Sequence, residues 1–495
     1  MAISKKVKEY AKNNLNEVLH TTLNPDGPGV VRIHLVPPKY DGGDDLTSVA
    51  IINGQDIIPV NSSWTILLAE FIKEVNKYSG KPISEEDSKS IIENCVSNVK
   101  GVFFWVPKKI LRRDIFTIMN TFKQVAYGEP TDEEIQYMSL GDYAPMMRAP
   151  HRMDIMVSAM SVEGKWHCNQ KCVHCYAAGQ TQAEEGELST EDWKKIIDRI
   201  KAAGIPQLTF TGGEPTMRDD LVELVDYAQW FVTRLNTNGV KLTKELCAKL
   251  HEASLDSMQI TFYSSDKDIH NALVGVDKYE DTVKGIENAL EAGISVSINT
   301  PLCTKNKDYV ETLKFLHEKG VMYVTCSGLI TTGNATGEES MGLQLSKDEI
   351  RSILKDAAEY CFANDMEISF TSPGWIEEEF FNELGISTPS CGACLSNMAV
   401  TPGGNVVPCQ SWLSGPVLGS MLKDDWEDIW NNKDCVERRN YSAQSLGLCP
   451  LRVMKAGSTE MSEETEKVEG TEKVEETGKV EETGSVEEAG KEEQE

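Results

Sequence analysis

Between residues 165 and 345, short apolar runs alternate with longer stretches whose apolar positions recur every three or four residues. The short runs fall at 207–210, 234–236, 257–263, 295–300 and 323–327, and the first two end in glycine-containing turns. Helical spacing marks 189–203, 219–231, 244–252, 279–292 and 309–319. Strand–helix alternation over this length predicts parallel strands covered by helices, either an open α/β sheet or a barrel. In barrels the chemistry gathers at the C-terminal ends of the strands. A cysteine-rich loop precedes the first repeat and a Gly-Gly turn follows a strand, so both are expected at that end.

The pattern before residue 130 differs. Two strands, 47–52 and 56–60, flank Asn53-Gly54, a hairpin turn signal. Asn61 then caps a helix that runs to Lys77, with Ile66, Leu67, Leu68, Phe71 and Ile72 at helical spacing, and the run Ser84 to Asp87 opens another. A hairpin followed by helices predicts a small independent domain over 1–130. Residues 131–160 show little periodicity and read as a linker to an α/β unit over 161–345; a third segment, 346–455, holds further cysteines.

Composition narrows the functional classes. A chain of 495 residues exceeds one domain, and its 40% hydrophobic fraction is ordinary for a soluble protein. No apolar run approaches the ~18 residues of a membrane span. The lysine-rich start lacks the apolar core and cleavage site of a signal peptide, so the expected compartment is the cytoplasm. A net charge of −29 argues against nucleic acid as a partner. Part of that charge is local. From Gly457 to Glu495 the chain carries 15 Glu and 4 Lys in a repeating Glu-Lys-Val-Glu pattern, which reads as a disordered, solubilising tail over 456–495.

The 13 cysteines are many for a cytoplasmic protein, and their clustering argues for metal ligation over a disulfide framework. Cys168, Cys172 and Cys175 form a Cys-x3-Cys-x2-Cys loop followed by Tyr176. Thiolates favour zinc, copper(I) or iron–sulfur clusters. A structural zinc or an ordinary [4Fe–4S] cluster takes four ligands, and no fourth cysteine is near. A cluster held by three leaves one iron open, which marks a reactive site.

This loop, with His174 before its last cysteine, resembles the radical S-adenosylmethionine (SAM) superfamily. The resemblance continues through Thr211-Gly212-Gly213-Glu214-Pro215, Asn236-Thr237-Asn238-Gly239 and the run from Gln259 through Thr261 to Tyr263, then His270 and Gly275. It implies a partial (β/α)6 barrel in which three cysteines hold a [4Fe–4S] cluster chelated by SAM. In the family, the turn at 212–215 receives the methionyl amine, with Glu214 and nearby backbone as candidates. His174 falls at the position packed near the adenine, and Tyr176, Asn238 and Thr261 are further candidate contacts. Reduction of the cluster would cleave SAM to a 5′-deoxyadenosyl radical that abstracts a substrate hydrogen.

The later cysteines resemble the SPASM/twitch extension of the same superfamily. Cys391-x12-Gly404-x4-Cys409 and Cys394-x9-Gly404-x4-Cys409 both fit its pattern, and the run from Trp426 to Trp430 is similar to that region. Few cysteines follow, which points to one auxiliary [4Fe–4S] cluster on Cys391, Cys394, Cys409 and Cys449, with Cys435 as rival for the last position. A zinc site from the same thiols is the structural alternative. Cys95, Cys247, Cys303, Cys326 and Cys361 read as core or surface groups.

With Gly54-Gln55-Asp56 between two strands, Asn61 before an apolar helix, the Gly80-Lys81-Pro82-Ile83-Ser84 motif and Ile91-Ile92, the N-terminal region resembles, more loosely, the PqqD-like, winged-helix-like recognition element of ribosomal-peptide (RiPP) maturases, which adds a leader peptide to a sheet edge. The combined expectation is an oxidoreductase-type maturase of a precursor peptide that forms a thioether or carbon–carbon crosslink. Flavodoxin or ferredoxin is the expected electron donor, and no membrane partner is expected. The alternatives are a radical SAM enzyme acting on a small molecule or tetrapyrrole, and a non-catalytic metal-binding protein.

Overall fold

The computed structural model describes residues 4–23, 30–38, 46–78, 83–444 and 449–452. The acidic tail and most of the Gly80–Ser84 motif lie outside the described residues.

The N-terminal region forms an antiparallel sheet in the order β1 (Leu19–Leu23), β2 (Val31–Val36), β3 (Ser48–Ile52), β4 (Asp56–Val60). The β3–β4 hairpin turns where the sequence signals it. Asn53 and Gly54 have φ of 47° and 73°, the two left-handed residues that a right-twisted hairpin requires. The Asn61 side chain accepts from the backbone N–H groups of Ser63 and Trp64 and starts helix Ser62–Asn76. Ser84 and Asp87 form a reciprocal capping box on helix Glu85–Val102, and helix Lys108–Ala126 follows. Ile33, Leu35 and Ile52 of the sheet pack with Ile66, Ile72, Val96, Val99, Ile115 and Phe122 of the helices in one buried cluster.

A ten-stranded sheet carries the rest of the chain. Its strands are β5 (Arg152–Ser158), β8 (Gln207–Gly212), β9 (Val232–Thr237), β10 (Ser257–Thr261), β11 (Ser295–Pro301), β12 (Tyr323–Ser327), β13 (Glu367–Phe370), β14 (Asn397–Val400), β15 (Asn405–Val407) and β16 (Gly419–Ser420). A separate short hairpin pairs β6 (Ser161–Val162) with β7 (Lys165–Trp166). The sheet order is β13-β12-β11-β10-β9-β8-β5-β14-β15-β16. Pairing is parallel from β13 to β14, and β15 and β16 close it antiparallel. Helices Thr190–Ala202, Leu221–Tyr227, Lys244–Glu252, Tyr279–Glu291, Tyr309–Glu318 and Lys347–Ala363 cross between successive parallel strands. Residues such as Leu208, Phe210, Leu235, Met258, Ile260 and Ile298 are fully buried. Their neighbours in sequence, among them Asp154, Thr209, Arg234, Asn236, Gln259, Asn299 and Thr325, take the opposite face. The sheet is thus open and mixed, apolar on one face and polar on the other, as a partial barrel is.

Two boundaries differ from the sequence reading. Residues 131–160 are more than a linker, because β5 is a buried central strand with β8 on one side and β14 on the other. The strand–helix alternation also continues past 345, through helix Lys347–Ala363 and β13.

The N-terminal sheet docks on the end of the parallel sheet where the strands begin. The buried Arg32 donates through Nε to Asp256 at 3.0 Å and through Nη1 to the Gln229 carbonyl at 2.9 Å. The Gln207 side chain donates to the Gly54 carbonyl. His20 and His34 rings pack on Trp230 at 5.2 and 5.0 Å. The opposite end, where the strands finish, is left for the cysteine loop. Among the described residues no helix is long and apolar enough to cross a membrane.

The Gly-Gly pair shows how tightly that end is built. A Cβ on Gly212 would lie 2.2 Å from the Ser158 carbonyl oxygen, and one on Gly213 would lie 2.7 Å from that of Ala159. These glycines let the end of β8 lie against β5, a packing need that precedes any ligand. Gly212→Ala is expected to destabilise the fold by about 3 kcal/mol through this clash and its φ of 139°. Denaturant titration of the purified variant measures the loss.

Candidate iron–sulfur sites

The cysteine loop leaves the β6–β7 hairpin and is fastened along its length. Backbone N–H groups of Lys171 and Val173 donate to the carbonyls of Val274 and Leu273 at 2.9 and 3.0 Å. A Cβ at Gly275 would lie 2.4 Å from the Lys171 carbonyl, which explains the glycine there. The Asn238 side chain, just past β9, donates to Asn169 Oδ1 at 2.6 Å. Asn334 Nδ2 donates to the Cys172 carbonyl at 3.2 Å, and Ser340 Oγ to that of Val173 at 2.7 Å.

The fastened loop turns its three thiols toward one another. Burial pushes the Cys168 thiol up to about 12, with added repulsion from Glu214 and Cys175. Burial also raises Cys172, which Cys175 and Cys168 push further, and it raises Cys175. Three half-buried thiols that oppose each other's ionisation match a cationic metal centre, which deprotonates its thiol ligands outright. Among the described residues no three His, Cys, Asp or Glu groups are arranged to hold a single metal ion.

His174 is buried against Tyr263, with ring centroids 5.1 Å apart. Both its ring nitrogens are buried without a partner, and burial holds its pKa down to about 4. A neutral, unsatisfied imidazole beside the loop fits a face presented to a polar heterocycle. Tyr176 bonds to Thr211, and burial raises its phenol, with repulsion from Cys175, Asp154 and Cys409 in that order. It therefore lies between the first cysteine loop and the later cysteines. Thr261 is half-buried at the C-terminal end of β10, and Pro215 is buried in a short turn after β8.

Glu214 is already engaged within the fold. Its Oε1 accepts from Thr216 N at 3.0 Å, Thr216 Oγ1 at 2.6 Å and Thr237 Oγ1 at 2.6 Å, and its Oε2 accepts from Asn238 N at 2.8 Å. Three of those bonds fall on Oε1 and one on Oε2. The carboxylate ties the turn after β8 to the end of β9, and Asn238 carries the tie on to the cysteine loop.

The later cysteines also gather. Cys394 and Cys435 are hydrogen-bonded thiol to thiol, and Arg439 Nη1 reaches Cys435 Sγ at 3.6 Å. Cys409 interacts with Cys449 and Cys391, and Cys394 with Cys409. Five thiols thus face one region. Cys449 lies on the side of Cys391 and Cys409, and Cys435 on the side of Cys394. Backbone geometry assists, since Cys394 adopts a left-handed φ of 57° and its N–H donates to the carbonyls of Asn397 and Pro408. Cys95, Cys247, Cys326 and Cys361 are buried outside both sets, and Cys303 is buried in the apolar cluster against which Cys172 packs.

Comparison with known proteins matches the same two regions. Residues 167–316 match the radical SAM superfamily, and residues 391–450 match SPASM, an iron–sulfur cluster-binding domain. This chain carries a radical SAM domain followed by a SPASM domain. The two imply a SAM-binding [4Fe–4S] cluster, SAM itself and an auxiliary iron–sulfur cluster. The chain is 34% identical over 172 residues to an AdoMet-dependent heme synthase of Oleidesulfovibrio alaskensis, covering 34% of this chain and 44% of that one. It therefore spans less than half the length of that relative. It is 26% identical over 294 residues to the mycofactocin maturase MftC of Mycolicibacterium smegmatis, covering 57% and 72% of the two chains. In three dimensions it resembles Streptococcus suis SuiB bound to the precursor peptide SuiA, with TM-score 0.53 and 14% identity over 79% of this chain and 86% of that one. That likeness shows a shared fold.

In the radical SAM domain, sequence reasoning missed Asn169 and the polar face of the sheet. Asp154 is buried, with Arg152 Nε 2.8 Å from its Oδ1, and Arg234 lies on the same face with its pKa lowered by burial and by Arg152. Thr209 Oγ1 and Asn236 Oδ1 there are buried without partners. Polar residues at every second strand position were the available signal. In the SPASM region it missed Arg439 and Arg452.

Proposed function

We propose that this chain is a radical SAM maturase of a ribosomally made precursor peptide, forming a thioether or carbon–carbon crosslink in it. The observation that carries this reading is the N-terminal sheet docked on the radical SAM sheet, within an architecture that resembles SuiB over 79% of the chain. In this reading residues 1–130 act as a PqqD-like recognition element that takes the leader as an added strand. Met138 N already donates to the Ile57 carbonyl of β4 at 2.9 Å, a bond of the kind an added strand makes. The remaining segments are the radical SAM unit, drawn at 161–345 from the sequence and extended by β5 and β13, and the cluster domain at 346–455.

The bound cluster and SAM supply one-electron cleavage of a sulfonium and hydrogen abstraction by the resulting radical. Cys168, Cys172 and Cys175 hold that cluster. The turn at Gly212, Gly213, Glu214 and Pro215 offers backbone carbonyls to the methionyl amine, with Glu214 fixing their position. His174 faces the adenine, and Tyr176, Asn238 and Thr261 line the same end of the sheet. Cys391, Cys394, Cys409 and Cys449 hold the auxiliary cluster. Cytoplasmic flavodoxin or ferredoxin supplies electrons.

The test is anaerobic reconstitution of the full chain with SAM, reductant and a candidate precursor peptide. The expected result is 5′-deoxyadenosine together with a peptide lighter by the mass of the hydrogens lost in crosslinking. Cys409→Ala should keep the first product and abolish the second. An unmodified peptide, with turnover of an iron porphyrinoid instead, would favour a second reading as a tetrapyrrole enzyme. The heme synthase relative favours that alternative.

A further inference from the structure

Arg452 is 8% exposed, and among the described residues no ion pair joins it to a carboxylate. Its Nη1 donates to the Gly328 carbonyl at 2.7 Å and to Ser372 Oγ, and its Nε is buried without a partner. The guanidinium lies 5.6 Å from the Trp375 ring centroid. Gly328 follows β12 and Ser372 follows β13, so this residue reaches back across the end of the sheet where the strands finish. The Thr331 N–H donates to the Leu451 carbonyl at 3.0 Å and fixes the reach, while Arg452 N donates to the Cys449 carbonyl at 3.1 Å. The groups facing the guanidinium that can carry negative charge are the thiols of Cys449, Cys391 and Cys409.

A buried guanidinium whose partners are two neutral oxygens and the Cys449 thiol is costly unless a negative charge faces it. A cluster ligated by thiolates is such a charge, and its reduced form carries one more negative charge than its oxidised form. A fixed cation nearby therefore stabilises the reduced form more. The potential of iron–sulfur clusters follows net charge, hydrogen bonding to sulfur and exposure in this way.

We propose that Arg452 is the built-in counter-charge of the auxiliary cluster and raises its reduction potential. This rests on the reading of Cys391, Cys409 and Cys449 as ligands of that cluster. Arg452 acts through the cluster and is a positioning residue. Arg439 is a second, half-buried cation on the other side of the thiol set, where it stacks on Trp430 at 3.8 Å and reaches Cys435, so Arg452→Gln removes only Arg452's share of the positive field.

The experiment is a potentiometric titration of the reconstituted full-length protein, followed by electron paramagnetic resonance, with iron counted in each sample. Added SAM marks the signal of the first cluster, and Cys409→Ala identifies the auxiliary one. Arg452→Gln should keep its iron and shift the auxiliary midpoint to more negative potential. Arg452→Lys should shift it less, and the first cluster should not move. Loss of auxiliary iron in Arg452→Gln with full retention in Arg452→Lys would also support the counter-charge, because charge is what separates the two. An unmoved auxiliary midpoint with iron retained would overturn the proposal, as would loss of iron in both variants or an equal shift of both clusters. A wild-type protein with no auxiliary signal would fail the cluster reading instead, which is a different result.

Discussion

Cys172→Ala is expected to lower reductive SAM cleavage by about three orders of magnitude or more, as far as removing all three loop cysteines would. Groups that act as one unit lose their effect when any member is removed, so single and triple replacement cost nearly the same. The frame of the loop is independent of the thiols. The bonds from Lys171 and Val173 to Val274 and Leu273, and from Asn238 to Asn169, involve backbone and amide groups that alanine leaves alone. The variant should therefore fold with wild-type stability, lose the iron of one cluster and keep that of the other. Cys303→Ala is the matched control. Cys303 is buried in the apolar cluster against which Cys172 packs, outside both thiol sets. It should retain full iron and full 5′-deoxyadenosine formation in a chromatographic assay. Equal loss in the two variants would mean that cysteine content, and not the loop, governs the site.

The repeating part of the fold was legible because its signals are local. Asn-Gly sets a hairpin through the left-handed φ of two adjacent residues, and Asn61 and Ser84 start helices through side chains that bond within three residues. The parallel strands announce themselves by alternation with amphipathic helices. β5 escaped because it is buried along nearly its whole length, so no polar alternation marks it, and because the Cys loop between it and its crossover helix breaks the repeat. β13 has only four residues, too few for a period.

The sites divide in the same way. The first cysteine set lies within eight residues and could be read directly. Arg452 could not, because its partners lie 124 and 80 residues away and nothing local distinguishes it from a surface arginine. The role of Glu214 also depends on distance. The sequence places a carboxylate at the end of a strand, where a ligand amine would suit it. The groups that fill it come partly from Thr237 and Asn238, more than twenty residues on. A motif gives the residue types at a site but not which of them are already engaged by the fold.

Glu214→Ala is accordingly expected to act first on stability. The carboxylate is 1% exposed. Burial raises its pKa, and the donors from Thr216, Thr237 and Asn238 pull it back. Hydrogen bonds to a charged group contribute about 1.5–3 kcal/mol each, and they are not additive when they share one acceptor. Removing the side chain strands the N–H groups of Thr216 and Asn238 and both threonine hydroxyls in a buried place. A loss of about 3 kcal/mol is expected, seen as a fall of several degrees in Tm. Glu214→Gln keeps one oxygen as acceptor but sets an amide N–H against that of Asn238, so its cost should be smaller, about 1–2 kcal/mol. The damage should also travel. Asn238 links Glu214 to Asn169 in the cysteine loop, so the alanine variant should bind SAM more weakly even at temperatures where it stays folded. Calorimetry of the two variants, with SAM titrated into each, separates this brace from a direct contact. A variant with wild-type Tm that had lost SAM affinity would return Glu214 to the ligand. A lowered Tm in which Glu214→Gln recovers both stability and affinity would keep it in the frame.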